Sequence, residues 1–235
     1  MKYTIDSWVF EKNPDVCACI MIGKGLKNTK TTDEDSKVLA EAEAKVRAEI
    51  DPKTLKEFAP IADYRDALRN AGINPNKFTN SVEAMSKRVV KSGSLPRINA
   101  LVDLCNAVAL QECISLGAHD LRDIDQDLAV RKSVEGDVFL PFGASEFEPI
   151  PADELVFISG SKVQTRQWLW RQSELGKITL DSSDIVFQLV GFKGMHYDNF
   201  ENAIAAIESL VEERFEGSFK TYRVDREQPE IEFEV

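Results

Sequence analysis

The sequence predicts an α+β protein in which helices pack on a mixed sheet. Three observations predict it. An unbroken apolar run at 16–22, VCACIMI, has the pattern of a strand buried on both faces. Apolar residues recur at helical spacing from Val38 to Ala109. Past Gly117, short strand-like runs separated by Pro and Gly take over. Helices and strands do not follow strict βαβ order, so the class is α+β or a mixed α/β sheet.

Taken in order, residues 3–10 alternate (Tyr3, Ile5, Ser7, Val9) and predict a half-buried strand. Asn13-Pro14-Asp15 reads as a turn, and the buried strand 16–22 ends at Gly23 and Gly25. Thr32 or Asp33 caps a helix carrying Val38, Leu39, Ala42, Val46 and Ile50. Ile61, Tyr64, Leu68 and Ala71 form a second stripe, stopped by Gly72. Asn80 and Ser81 lead into Val82, Met85, Val89 and Val90, with Gly93 past the end. Pro96 is expected in the first turn of the next helix, where its missing N–H costs nothing. That helix runs from Ile98 through Ala109, apolar on most of its circumference, and is expected to be the central buried one. Strands are predicted at 128–132, 138–140, 155–159 and 185–190. An amphipathic helix from Phe200 to Phe215 and a strand over 219–224 complete the pattern. No repeat or low-complexity linker appears, so one domain over 1–235 is expected.

The chain has 235 residues, 43% apolar and 29% charged, with a net charge of −11. These proportions exclude a disordered or fibrous chain. The acidity repels bulk nucleic acid and anionic membrane, so a nucleic acid is met only at a local basic patch or by its tip. No stretch approaches the ~18 apolar residues of a membrane span, and MKYTIDSWVF lacks an apolar signal core. A cytoplasmic protein is expected. Four cysteines without a CxxC pair, beside two histidines, make a poor zinc set and predict reduced core thiols. No metal or cofactor is expected.

No Walker loop, Gly-x-Ser-x-Gly elbow or His-Glu-x-x-His occurs. His119, beside Asp120, is a candidate acid–base group that Asp120 would orient; the alternative is a surface histidine at a turn. His196 reads as a loop residue. The segment Thr165-Arg166-Gln167-Trp168-Leu169-Trp170-Arg171-Gln172 holds two of the three tryptophans. If extended, Arg166, Trp168 and Trp170 share one face, with Arg171 on the other. Such a wall could hold a ring or a carboxylate; the alternative is that the indoles are core anchors. Lys87, Arg88, Lys91 and Arg97 gather four cations at a helix junction. They are a candidate phosphate contact, or else a solvated face.

Asn74-Pro75-Asn76-Lys77-Phe78, Ser81-Val82-Glu83-Ala84 and Leu95-Pro96-Arg97-Ile98-Asn99-Ala100-Leu101-Val102-Asp103-Leu104-Cys105-Asn106 resemble the B3/B4 domain. That is the aminoacyl-tRNA editing module of the phenylalanyl-tRNA synthetase beta chain. The tryptophan segment and residues 187–192 continue the likeness, which covers about 60–192 and is closest to freestanding members. It implies a B3/B4-like fold with its pocket between the buried helix and the sheet. It implies hydrolysis of wrongly esterified tRNA, with only the aminoacylated CCA end and its amino acid as partners, and neither membrane nor DNA. Along the likeness the family's pocket histidine falls on Gly117, a pocket threonine on Cys105 and the pocket glutamate on Gln188. No functional residue therefore transfers by identity. Asn106, Gly117, Arg166, Trp168, Trp170, Arg171 and Gln188 are the expected substrate-binding set, with His119 and Asp120 as the candidate catalytic pair. The expected function is a freestanding aminoacyl-tRNA deacylase; the alternative is a non-catalytic module that binds an amino acid or a tRNA end.

Overall fold

The structure is a computed structural model that describes residues 1–194 and 196–234. The elements run β1 (Lys2–Ile5), α1 (Ser7–Lys12), β2 (Val16–Lys24), α2 (Asp33–Glu49), α3 (Ala59–Asn70), α4 (Ser81–Ser92) and α5 (Ala100–Glu112). Then come β3 (Ser115–Asp120), β4 (Leu128–Lys132), β5 (Val138–Phe139), β6 (Glu148–Pro149), β7 (Leu155–Ser159), β8 (Lys162–Arg166) and β9 (Arg171–Gln172). The chain ends with β10 (Ile185–Phe192), α6 (Tyr197–Ser209), β11 (Ser218–Val224) and β12 (Glu230–Glu232). This is an α+β fold.

Two sheets organise it. The smaller is antiparallel, in the order β11-β2-β10-β3. The larger runs β12-β1-β4-β7-β8-β5-β6, with β9 on β8. The apolar run of β2 lies at the centre of the smaller sheet, buried along both faces. Cys17, Cys19 and Met21, with Phe187 and Leu189 of β10, pack on α5 and α6. Ala18, Ile20 and Ile22, with Val186 and Val190, face the other way, into a core shared with Tyr3, Phe157 and Trp168. The two sheets thus meet through that second face, and Gln188 Nε2 donates across it to the Tyr3 hydroxyl at 2.7 Å.

Local signals explain most boundaries. Thr32 caps α2 through a capping box with Asp35. Asn80 accepts from the Glu83 N–H at 2.9 Å to start α4, and Gly93 ends it in the left-handed conformation. A buried Arg65–Glu83 pair at 2.7 Å locks α3 to α4. Its members would be costly to separate. None of the helices in the described residues is long and apolar enough to cross a membrane.

Three expectations are corrected. Residues 3–10 are not one strand: Asp6 accepts from the Trp8 N–H at 2.8 Å and turns the chain into α1. Val9 and Phe10 are both buried, as a helix face allows and an alternating strand does not. Pro96 lies before α5, because Asn99 is the capping residue and Asp103 accepts from the Ile98 N–H at 2.9 Å. The β region begins at Ser115 rather than after Gly117, which places His119 inside a strand.

Candidate functional site

The tryptophan segment is a hairpin turn, not an extended wall. Thr165 pairs with Gln172 and Arg166 with Arg171, so β8 and β9 enclose residues 167–170. Gln167 and Trp168 both take positive φ, at 48° and 62°. Left-handed backbone is unfavourable for side chains of this size. Bonds from distant residues hold it: Trp168 N–H donates to Leu155 O at 2.7 Å, and Gln167 N–H donates to Glu154 Oε1 at 3.2 Å. Leu169 O accepts from the Ser81 N–H at 2.9 Å, which pins the turn to the start of α4. Phe78, from the Asn74–Phe78 motif, meets Trp170 edge-on with centroids 4.9 Å apart.

This turn overturns the shared-face expectation for the arginines. As cross-strand partners Arg166 and Arg171 stand on the same face, and both lie over the Phe139 ring, at 5.6 and 5.9 Å. Arg166 is gripped by buried Glu154 through bonds of 2.9 and 2.7 Å and reaches Glu148 at 3.3 Å. Glu154 raises its already high proton affinity further. Arg171 is exposed. Neither lines the pocket that the turn closes.

That pocket lies between the two sheets, beside the N-terminal end of α4. Gly117 and Gln188, opposite each other on β3 and β10, form one wall. Trp168, Leu169 and Trp170 form another; Ser81 and Ser115, whose hydroxyls lie 3.1 Å apart, form a third. Thr165 and Gln172 stand at the hairpin side. A register shift between Phe157 and Ile158 leaves Gln164 without a partner on β7. The volume is about 90 Å³. Every lining side chain is uncharged at neutral pH.

His119 stands behind this pocket, not in its lining and not at a surface turn. It is 1% exposed, and burial lowers its pKa from 6.5 to about 4, so the ring is neutral at pH 7. Its Nδ1 lies 3.4 Å from Gln172 Nε2, which also donates to Ala118 O. Two glycines make room for the ring: a Cβ on Gly117 would stand 3.2 Å from Nε2, and one on Gly176 would stand 3.1 Å from the His119 Cβ. Asp120 does not orient it. Successive strand residues face opposite ways, and the Asp120 carboxylate is bound by Arg122 and Ser182. Burial opposes ionisation of Asp120, but those bonds keep its pKa below the ordinary value.

The structure therefore brings Gly117, Trp168, Trp170 and Gln188 together and leaves Asn106, His119, Asp120, Arg166 and Arg171 outside. Asn106 sits on α5, which covers the opposite face of the smaller sheet. The pocket consequently lies between sheets, not between the buried helix and a sheet. Cys105 belongs to that α5 core as well. Among the candidate cations, Arg97 is bound by Glu43 at 2.7 Å and serves the frame. Lys87, Arg88 and Lys91 are exposed on α4 without an acidic partner among the described residues. Thr165 and Gln172 bound the tryptophan segment that the sequence singles out, whereas Ser115 had no signal, because a neutral polar residue marks a pocket only after distant strands assemble it. No group of three metal-ligating side chains occurs among the described residues.

These features define an α+β protein with a small neutral pocket between two sheets. The chain belongs to the B3/4 domain family, whose model matches residues 63–226. Among solved structures it is similar to an N-terminal fragment of the phenylalanyl-tRNA synthetase beta subunit from Pyrococcus horikoshii. The identity is 11% and the TM-score 0.42, over 94% of this chain and 53% of the fragment, so the chain spans about half of the fragment's length. No curated protein matches the sequence.

Proposed function

We propose that this chain receives the aminoacylated end of a tRNA in the pocket and hydrolyses the ester there. One observation carries the reading. Gly117 and Gln188, the positions where the family likeness places the pocket histidine and glutamate, are cross-strand partners on one wall of a real pocket. A narrow pocket also suits an acidic protein, which admits one threaded end and repels the body of the nucleic acid. Lys87, Arg88 and Lys91 lie along α4, whose first residue, Ser81, lines the pocket. They are the cations available to the phosphates leading into it.

Ester hydrolysis needs an activated water and donors for the oxyanion. The pocket lining offers no base, and the desolvated His119 ring is a weak one. The terminal ribose hydroxyl of the substrate then orients the water, and the Ser81 and Thr165 hydroxyls are the available neutral donors. The absence of an ionisable lining side chain favours a second reading, a module that binds the aminoacyl end without turnover. Incubating the protein with a panel of correctly and wrongly charged tRNAs separates the two. Release of amino acid above the uncatalysed rate is the expected result. Binding without release supports the second reading, and neither binding nor release overturns both.

A further inference from the structure

Trp170 belongs to the pocket wall and to the surface at once. It lines the pocket, yet it is only half-buried, unlike its enclosed neighbours Trp168 and Leu169. Beside it stands Phe78, also half-buried, with the ring planes at 69° and the centroids 4.9 Å apart. Lys77 Nζ lies 4.9 Å from the Phe78 centroid. The bond from the Ser81 N–H to Leu169 O holds the two segments together.

The charge of this corner is unlike that of the chain as a whole. Residues 71–82 and 160–173 contain four cations and no Asp or Glu, on a protein of net charge −11. Two of the four are spent: Arg166 on Glu154 at 2.7 Å and Lys162 on Asp125 at 3.0 Å. Lys77 and Arg171 are exposed, with no acidic partner among the described residues.

Half-exposed rings beside unpaired cations suit one ligand chemistry better than others. A nucleobase stacks on an aromatic side chain whatever its sequence, and the phosphate next to it meets a cation. An acidic peptide would use the cations and leave the rings to water. An aliphatic one would use the rings and leave the cations unpaired.

We propose that Trp170 and Phe78 form a stacking corner for the unpaired nucleotides next to the aminoacylated adenosine, with Lys77 on their phosphates, a contact that rests on the aminoacyl-end reading above. The corner binds RNA without regard to the amino acid, while the pocket behind Trp170 receives the ester.

The probe is an uncharged RNA hairpin with an unpaired CCA end, compared with the same hairpin made abasic at both cytidines. The abasic form keeps the phosphates and loses the bases. Binding is read by fluorescence anisotropy, and binding and release with charged tRNA are followed in parallel. Wild type is expected to bind the intact hairpin about tenfold more tightly than the abasic one. In Trp170→Ala and in Phe78→Ala that preference should shrink to about threefold or less. Lys77→Ala should instead weaken both hairpins alike, by about two- to fivefold. If the aromatic variants fail to fold, the two hairpins on wild type decide. Equal binding of the two hairpins, no binding of the intact one, or an unchanged preference in the folded aromatic variants overturns this inference. With charged tRNA still bound or deacylated, each of those results leaves the aminoacyl-end reading standing. No binding and no release with any charged tRNA overturns both.

Discussion

Gly117 and His119 share one face of β3, and the His119 imidazole lies where a side chain at 117 would begin, with Nε2 3.2 Å from that Cβ position. Gly117→Ala must therefore push the ring, which Gly176 and Phe157 confine on other sides. Overpacking of this kind costs about 1–3 kcal/mol. Urea unfolding of the variant should show that loss, and the displaced ring should also weaken ligand binding.

The buried ring predicts a pH dependence of stability. Its folded pKa of about 4 lies below the ordinary 6.5, so between these values the unfolded chain binds a proton that the native protein does not. Stability falls as pH drops through that window, by about 3 kcal/mol in total. Asp35, held near 2 chiefly by Arg214, loses its contribution only below the ordinary carboxylate range and leaves this window untouched. Unfolding curves of wild type and His119→Gln from about pH 7.5 to about pH 4.5 should converge as the pH falls. Parallel curves would mean that water reaches the imidazole.

Arg166 should matter for stability and Arg171 should not. Glu154 holds Arg166 by two bonds and also the Gln167 N–H. Glu154→Gln and Arg166→Ala each leave a partner uncompensated, at a cost of about 1–3 kcal/mol given the partial exposure of Arg166. Exposed Arg171→Ala should stay within about 0.5 kcal/mol of wild type. Thermal unfolding checks the ranking. A loss of ligand affinity in Arg166→Ala at unchanged melting temperature would return that guanidinium to the ligand.

Salt should weaken tRNA binding modestly. Three free cations on α4 give a log–log slope near −2 to −3. The triple variant Lys87→Ala/Arg88→Ala/Lys91→Ala should flatten it. Arg97→Ala should instead lower the melting temperature, since it strands the buried Glu43 carboxylate. A slope unchanged in the triple variant would make these cations a solvated face.

The thiols should be silent. All four cysteines are free and buried, and desolvation pushes each thiol up to about 12. Thiol-reactive dye should label none in the native protein at neutral pH and all four in denaturant.

The legible part of the fold was the part specified by neighbouring residues. The run Val16–Ile22, the Thr32 cap and the Asn80 cap each announce their element within a few positions. The pocket turn was not legible, because Glu154 and Leu155 impose left-handed backbone on Gln167 and Trp168 from another strand. The two-residue strands β6 and β9 are too short to show a period. Within the site, the family likeness singled out Gly117 and Gln188, while alternation alone misassigned Arg166. The motif residues Glu83, Arg97, Asn99 and Asp103 serve the frame: Glu83 accepts from Arg65, Arg97 donates to Glu43, and Asn99 and Asp103 accept from N–H groups of their own segment.

The position of β2 has a consequence for the order of folding. Its seven apolar residues are made well before both of its strand partners, β10 and β11, which lie beyond residue 184. β1 likewise waits for β4 and β12. Pairings so remote in sequence close slowly. During synthesis the stickiest segment of the chain stands without its sheet until β10 has been made. Aggregation during synthesis should therefore respond to changes in β10, a strand the ribosome has yet to reach when the danger begins.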